Sequence, residues 1–464
     1  MRLTFGRATA MALFAVLAGA QTTANSNQFI WVSDVHFNPL ANPALANMLA
    51  EAPVTGWANI LNTHPRRRSR FGEDTDWALL SNAFSEIRKT AQQAQFTVVT
   101  GDVFVHDLRD KFNAAAATHD DAAFADFARK TFAFVATQLE ALTPGQPVLF
   151  TLGNNDVDTC DYDMQPGGPF LRITGEAVRS MLGRVADDES TKDWAEMGTY
   201  NVRHPVLRRA RVISLSSAYF SQKYQAYCGS QSPADPAENE LTWLSHQLAS
   251  AEAKGEKVWL IFHIAPGIDG YATAHPKDHG PGKPVVPMWK PPYTDQFEKL
   301  LNEYPDTVTV SLAGHEHVDD FRLIDHSLIL LAPGISPLVG QNPAFRTVTY
   351  NDKDELTDAT TYYLSNLDGF DDAETPEWKP EYSFAHQWGM KRLDFASFNA
   401  LFHRLEKDPG AQSEWMNFYG VSHPEGHSIT PATFPWLLCA AGNAAEGSYN
   451  ACVARVLGES QVKK

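Results

Sequence analysis

The chain has 464 residues, 44% hydrophobic and 20% charged. That balance excludes a disordered polypeptide and leaves room for one large domain and a smaller one. With 38 Lys and Arg against 55 Asp and Glu, the net charge is -17, so a nucleic-acid duplex is not an expected partner.

The first segment, "MRLTFGRATAMALFAVLAGAQ", places Arg2 and Arg7 before an apolar run that ends in Ala18-Gly19-Ala20. That is the layout of a cleaved leader. Residues 1–20 are read as a signal peptide, and the mature chain as secreted or periplasmic. The run is short for a bilayer span, and no second long apolar stretch follows, so no stable membrane insertion is expected.

Five short β-branched and aromatic runs then read as buried strands, each stopping at a polar cluster. "QFIWVSDVHFN" ends in Asp34 and His36. "QFTVVTGDVFVHD" ends in Asp102, with His106 just beyond. "QPVLFTLGNNDV" ends in Asn154, Asn155 and Asp156. "EKVWLIFHIAPG" ends in His263, and "DTVTVSLAGHEH" in His315 and His317. Helical spacing appears between them: Trp77, Leu80, Phe84 and Ile87; Phe124, Phe127, Phe132 and Leu139; Leu241, Leu244 and Leu248, with Gly255 as a stop. Strands alternating with helices imply an α/β layer fold, whose ligand site lies beyond the carboxyl ends of the strands. All five clusters fall there.

Asp34, His36, Asp102, Asn154, His263, His315 and His317 are oxygen and imidazole donors suited to divalent first-row metals: zinc first, with manganese or iron as alternatives. Seven donors exceed one tetrahedral ion and fit two ions if one carboxylate bridges. On an extended backbone, residues two apart share a face, so Asp34-x-His36 and His315-x-His317 would each direct two donors one way.

Other stretches carry weaker signals. Arg66, Arg67, Arg68 and Arg70 form a basic loop that would suit an extra phosphate. The Pro/Gly-rich excursion from Tyr271 to Tyr293 is a candidate pocket wall, with His275, His279 and Trp289 as candidate substrate contacts. Residues 21–380 are read as the catalytic domain and 381–464 as a C-terminal helical subdomain. Of the four cysteines, Cys439 and Cys452 are the easiest pair by proximity, which leaves Cys160 with Cys228.

In this order D-x-H, G-D, G-N, H and G-H-x-H resemble the signature of the calcineurin-like metallophosphoesterases. "GDVFVHD", "DPAENELTWLSHQL" and "GHEHVDDF" are similar to the acid sphingomyelinase-like phosphodiesterase branch, and "GNND" to the endopolyphosphatases. The resemblance implies a four-layer α/β/β/α sandwich. It implies one metal on Asp34, His36 and His317, a second on Asn154, His263 and His315, and Asp102 between them. The implied reaction is hydrolysis of a small-molecule phosphate ester, a soluble phosphodiester or nucleotide, by a metal-bridging hydroxide without a phospho-enzyme. Sphingomyelinases proper carry a lipid-binding saposin domain before the catalytic one. Here the leader runs almost directly into the first strand, so a bilayer lipid is less expected. Most of the superfamily has G-N-H where this chain has Asn155. An amide donates a hydrogen bond but delivers no proton, so His106 becomes the candidate general acid. The alternatives are an endopolyphosphatase or phosphomonoesterase, and a secreted metal-binding protein without catalysis.

Overall fold

The computed structural model describes residues 27–63, 69–118, 120–224, 235–274, 285–367, 375–423 and 429–458. The expected leader, Arg66, Arg67, Arg68, His275, His279 and Cys228 lie outside the described residues. In chain order the strands are β1 (Asn27–Val32), β2 (Thr97–Val99), β3 (Val148–Phe150), β4 (Tyr200–Arg203), β5 (Ala210–Ser214), β6 (Lys257–Ile261), β7 (Val308–Ala313), β8 (Asp320–Ile324), β9 (Ser327–Leu331), β10 (Ala344–Tyr350), β11 (Leu356–Leu364) and β12 (Trp378–Ser383). They form two six-stranded sheets, ordered β12-β11-β10-β1-β2-β3 and β4-β5-β6-β7-β9-β8.

Each sheet has a parallel run: β1, β2 and β3 at one end of the first, β5, β6, β7 and β9 in the middle of the second. Parallel strands covered on both faces read as continuous apolar runs, as in the buried "TVV" and "VLF". The sheets meet face to face through aromatic contacts. The Phe29 ring lies 5.5 Å from Trp259, and Trp259 lies 5.4 Å from Tyr350. Helices cover the outsides. Trp77–Thr90 is capped by Asp76 and buries Leu80, Phe84 and Ile87. Asp121–Glu140 buries its phenylalanines and Leu139. Pro236–Lys254 stops at left-handed Gly255. The α/β reading is therefore correct, and the parallel strand ends of both sheets open on one site.

Trp289, a candidate substrate contact by sequence, is instead a core residue. Its ring is fully buried, packs 4.4 Å from Phe220, and donates its indole N–H to the Ile264 carbonyl (3.0 Å). β12 continues the first sheet to Ser383 before the C-terminal helices Phe384–Trp388, Phe395–Leu405, Pro409–Tyr419, Phe434–Gly442 and Glu446–Val456. A disulfide joins Cys439 to Cys452 across a Cα separation of 5.7 Å. Cys160 is also disulfide-bonded.

Glu240, on Pro236–Lys254, is fully buried. Its Oε1 accepts the Ser216 N–H (2.6 Å), while Oε2 has no hydrogen-bond partner. Burial pushes its carboxyl from 4.5 up to about 8, against the pull of that N–H. A carboxyl raised on folding stabilises fully below its unfolded value, and the contribution fades as pH climbs through the folded one. Glu240's own contribution to stability should therefore be present below about pH 5 and lost by about pH 8. Glu240→Gln is permanently neutral. It should flatten this fall and raise Tm at pH 8 above the parent's, as read by differential scanning calorimetry at both pH values.

Candidate metal centre

Asp34 and His36 follow β1, Asp102 follows β2, Asn154 follows β3, His263 follows β6, and His315 and His317 follow β7. The extended backbone expected at the two x-separated pairs is not what brings them together. Asp34 (φ 48°), His36 (44°), Asp102 (54°), His315 (76°) and His317 (60°) are all left-handed. Such conformations cost about 1–3 kcal/mol each and persist where the surroundings dictate them. Here the turns are stitched to each other. Asp34 N–H donates to Gly101 O (3.1 Å) and His36 N–H to Asp102 O (2.8 Å). Gly101 must be glycine: at φ 87° an added Cβ would stand 2.6 Å from the Gly153 nitrogen and 2.9 Å from His263 Nδ1.

The donors gather in two groups. One donor atom each from Asp34, His36 and His317, and one each from Asp102, His263 and His315, lie within 4.8 Å of one another. Asp102 touches both groups: its Oδ2 is 3.1 Å from His263 Nε2 and 3.5 Å from His36 Nε2. All seven residues except His315 are buried. A chain of donors orients Asp34. Trp31 Nε1–H gives to Thr100 Oγ1 (3.0 Å), Thr100 gives to Ser33 Oγ (2.8 Å), and Ser33 gives to Asp34 Oδ2 (2.5 Å).

The ring nitrogens show what fits between them. His36 Nδ1–H donates to Phe104 O (3.0 Å), His317 Nδ1–H to Ser336 O (3.3 Å) and His263 Nδ1–H to Thr100 O (2.7 Å). A carbonyl only accepts, so each Nδ1 carries a proton, and in the neutral rings of His36 and His317 the Nε2 is left as a lone pair. Yet His36 Nε2 and His317 Nε2 face each other at 3.1 Å. Burial, the leading influence, keeps His36, His315 and His317 below the ordinary imidazole range and so neutral. Asn154 Oδ1 is also buried without a hydrogen-bond partner, while its amide nitrogen is held by Asn155 Oδ1 (2.9 Å). Facing lone pairs and an orphaned amide oxygen fit divalent cations. Burial opposes charge on Asp102 and His263. Their mutual attraction outweighs it, holding the Asp102 carboxyl below the carboxylate range and raising His263 to about 9. A cation held there would take the place of that shared proton on His263 Nε2.

His106 lies against this centre, its ring stacked on His36 at 4.2 Å. Its Nδ1 bonds Asp74 Oδ1 at 2.8 Å. Burial disfavours the charged ring, but the Asp74 bond and charge prevail and raise its pKa. Asn155 donates its backbone N–H to Asp102 Oδ1 (2.8 Å), and its side-chain amide reaches Oδ2 (3.3 Å).

Two contributors were missed in the sequence. Asp74 sits in a loop with no periodicity to mark it. Asp156 lies inside the "GNND" cluster but carried no assigned role. Its carboxylate accepts four backbone N–H groups, from Asp102 (2.9 Å), Val103 (2.8 Å), Phe104 (3.1 Å) and Gly153 (2.8 Å), and so locks the β2 and β3 loops together. Asp156→Asn turns an NH2 against two of those donors. It should cost ~2–4 kcal/mol in urea unfolding.

A family model described as calcineurin-like phosphoesterase matches residues 28–319. The chain belongs to the calcineurin-like phosphoesterase family. Membership makes it a metal-dependent phosphoric ester hydrolase. The Dictyostelium discoideum "Sphingomyelinase phosphodiesterase D" is 25% identical over 86% of this chain and 89% of that protein. The mouse (Mus musculus) "Acid sphingomyelinase-like phosphodiesterase 3b" is 24% identical over 88% and 85%. The rat (Rattus norvegicus) "Cyclic GMP-AMP phosphodiesterase SMPDL3A" is 24% identical over 95% of each chain. The acid sphingomyelinase-like branch is thus the part of the calcineurin-like family that this chain resembles.

Proposed function

We propose that the chain is an exported binuclear-metal phosphodiesterase of the acid sphingomyelinase-like kind, acting on soluble phosphodiesters or nucleotides. The observation that carries this reading is the junction of two donor groups at one carboxylate, Asp102. Asp34, His36 and His317 would hold one divalent cation, Asn154, His263 and His315 the other, and Asp102 would serve both; zinc suits the donors, with manganese or iron as alternatives. Cations there lower the pKa of water and neutralise phosphoryl oxygens. The protein's own part is to orient and to move a proton. Asp74 holds His106 at Nδ1, leaving Nε2 to protonate a departing alkoxide. The Asn155 amide is placed to donate to a phosphoryl oxygen.

The names of the relatives, sphingomyelinase-like and cyclic GMP-AMP phosphodiesterases, support a diester over a monoester. The Cys439–Cys452 disulfide supports an oxidising compartment. Among the described residues no helix is long and apolar enough to cross a membrane. The test is turnover of bis-p-nitrophenyl phosphate before and after chelation, with metal content measured alongside. A panel of a cyclic dinucleotide, nucleotides, polyphosphate and sphingomyelin micelles then sorts substrates. Stoichiometric metal without turnover of any diester would reject the enzymatic reading.

A further inference from the structure

The acidic residues interleaved with the last two histidines, Glu316, Asp319 and Asp320 in "GHEHVDDF", belong to neither donor group around Asp34 and Asp102. All three are buried, and each is in contact with a buried arginine. Glu316 and Asp320 pair with Arg322, and Asp319 pairs with Arg346. Arg322 lies on β8, the edge strand of the second sheet. An edge strand is ordinarily open to solvent, yet every residue of this one is buried. The C-terminal helices cover it: Phe321 packs 5.0 Å from Phe398, and Asp319 N–H donates to Tyr419 O (3.3 Å). Arg322 also gives an Nη1–H to Phe321 O (2.9 Å), so its guanidinium is fixed on its own strand while it reaches back to the loop.

Glu316 stands between His315 and His317, both left-handed. That turn must send His315 toward His263 and His317 toward His36. Hydrogen bonds anchor its two ends, with His315 N–H donating to the Asp34 carboxylate (3.1 Å) and Gly334 N–H to His317 O (3.0 Å). The middle residue is held by its side chain on Arg322.

We propose that Glu316 and Arg322 are positioning residues of the metal centre. Resting on the ligand assignment above, the buried guanidinium, roofed by the C-terminal helices, sets the turn that presents His315 and His317 to different cations. Removing either partner loosens the turn, and metal affinity falls while the donors remain.

The experiment uses the full chain, stripped with chelator and titrated with Zn2+ against a fluorescent competitor. Metal-free Tm is recorded in parallel. Glu316→Gln and Arg322→Met should each weaken Zn2+ binding by about 10- to 100-fold, the range for groups that orient ligands. Because both act through one contact, the double variant should lose no more than the worse single. Where a lone buried charge prevents folding, the triple E316L/D320N/R322M replaces the whole cluster, a change that folded proteins commonly tolerate. It too should bind Zn2+ more weakly. A lowered metal-free Tm with unchanged Zn2+ affinity, additive losses in the double variant, or a triple variant that binds like the parent would each overturn the proposal. A parent chain that takes up none of Zn2+, Mn2+ or Fe2+ would overturn the ligand assignment itself.

Discussion

Asp102→Asn should lower kcat/KM on bis-p-nitrophenyl phosphate by about 10³-fold or more while leaving the protein folded. The substitution keeps one end of the side chain intact. An Asn carbonyl can still accept the Asn155 N–H now held by Asp102 Oδ1. The other end inverts. In place of Oδ2 it puts an NH2, 3.1 Å from His263 Nε2 and 3.5 Å from His36 Nε2. That amide donates into lone pairs that would otherwise face cations, and it removes a negative charge that both donor groups share. Metal content by inductively coupled plasma mass spectrometry should drop together with activity, and metal-free Tm should stay within a few degrees of the parent's. Full turnover with two ions retained would mean that Asp102 serves neither cation.

The effect hangs on a single carboxylate whose neighbours were readable one by one but not as an arrangement. The strands were legible because "FIWV", "TVV", "VLF" and "VWLI" are β-branched, aromatic and short. The donors were legible because each run stops at the same kind of polar cluster. What held the clusters in place was not. Five left-handed residues owe their conformation to loop-to-loop bonds such as His36 N–H to Asp102 O, which span tens of residues and leave no local mark. Asp156 works as an acceptor for N–H groups up to 54 positions away, a role that composition does not encode. Trp289 shows the opposite error. A Pro/Gly-rich neighbourhood suggested a pocket wall, but the indole is large enough to be drawn into the packing of Phe220, Phe262 and Phe297. Glu316 carries no role legible in the sequence, because its pairing with Arg322, six residues on, depends on the turn between them and not on a residue pattern.

His106→Ala should slow esters of alkyl alcohols by about 10²–10⁴-fold and leave p-nitrophenyl esters nearly unchanged. An alkoxide is a poor leaving group unless a proton arrives as the bond breaks, whereas p-nitrophenolate departs unaided. His106 is placed for that delivery. Its ring lies on His36, its Nδ1 is committed to Asp74, and the loop that carries it begins at Asp102. Asp74 has a separable part. Asp74→Asn preserves an acceptor for Nδ1–H but removes the charge that favours the imidazolium. The loss on alkyl esters should therefore be smaller than in His106→Ala, about tenfold, again with p-nitrophenyl substrates spared. A purely structural His106 behaves differently, since disturbing the stack on His36 would injure the metal centre and depress both substrate classes alike. Equal losses on the two leaving groups would assign His106 to the scaffold, and the proton would then have to come from elsewhere in the site, which Asn155 does not supply.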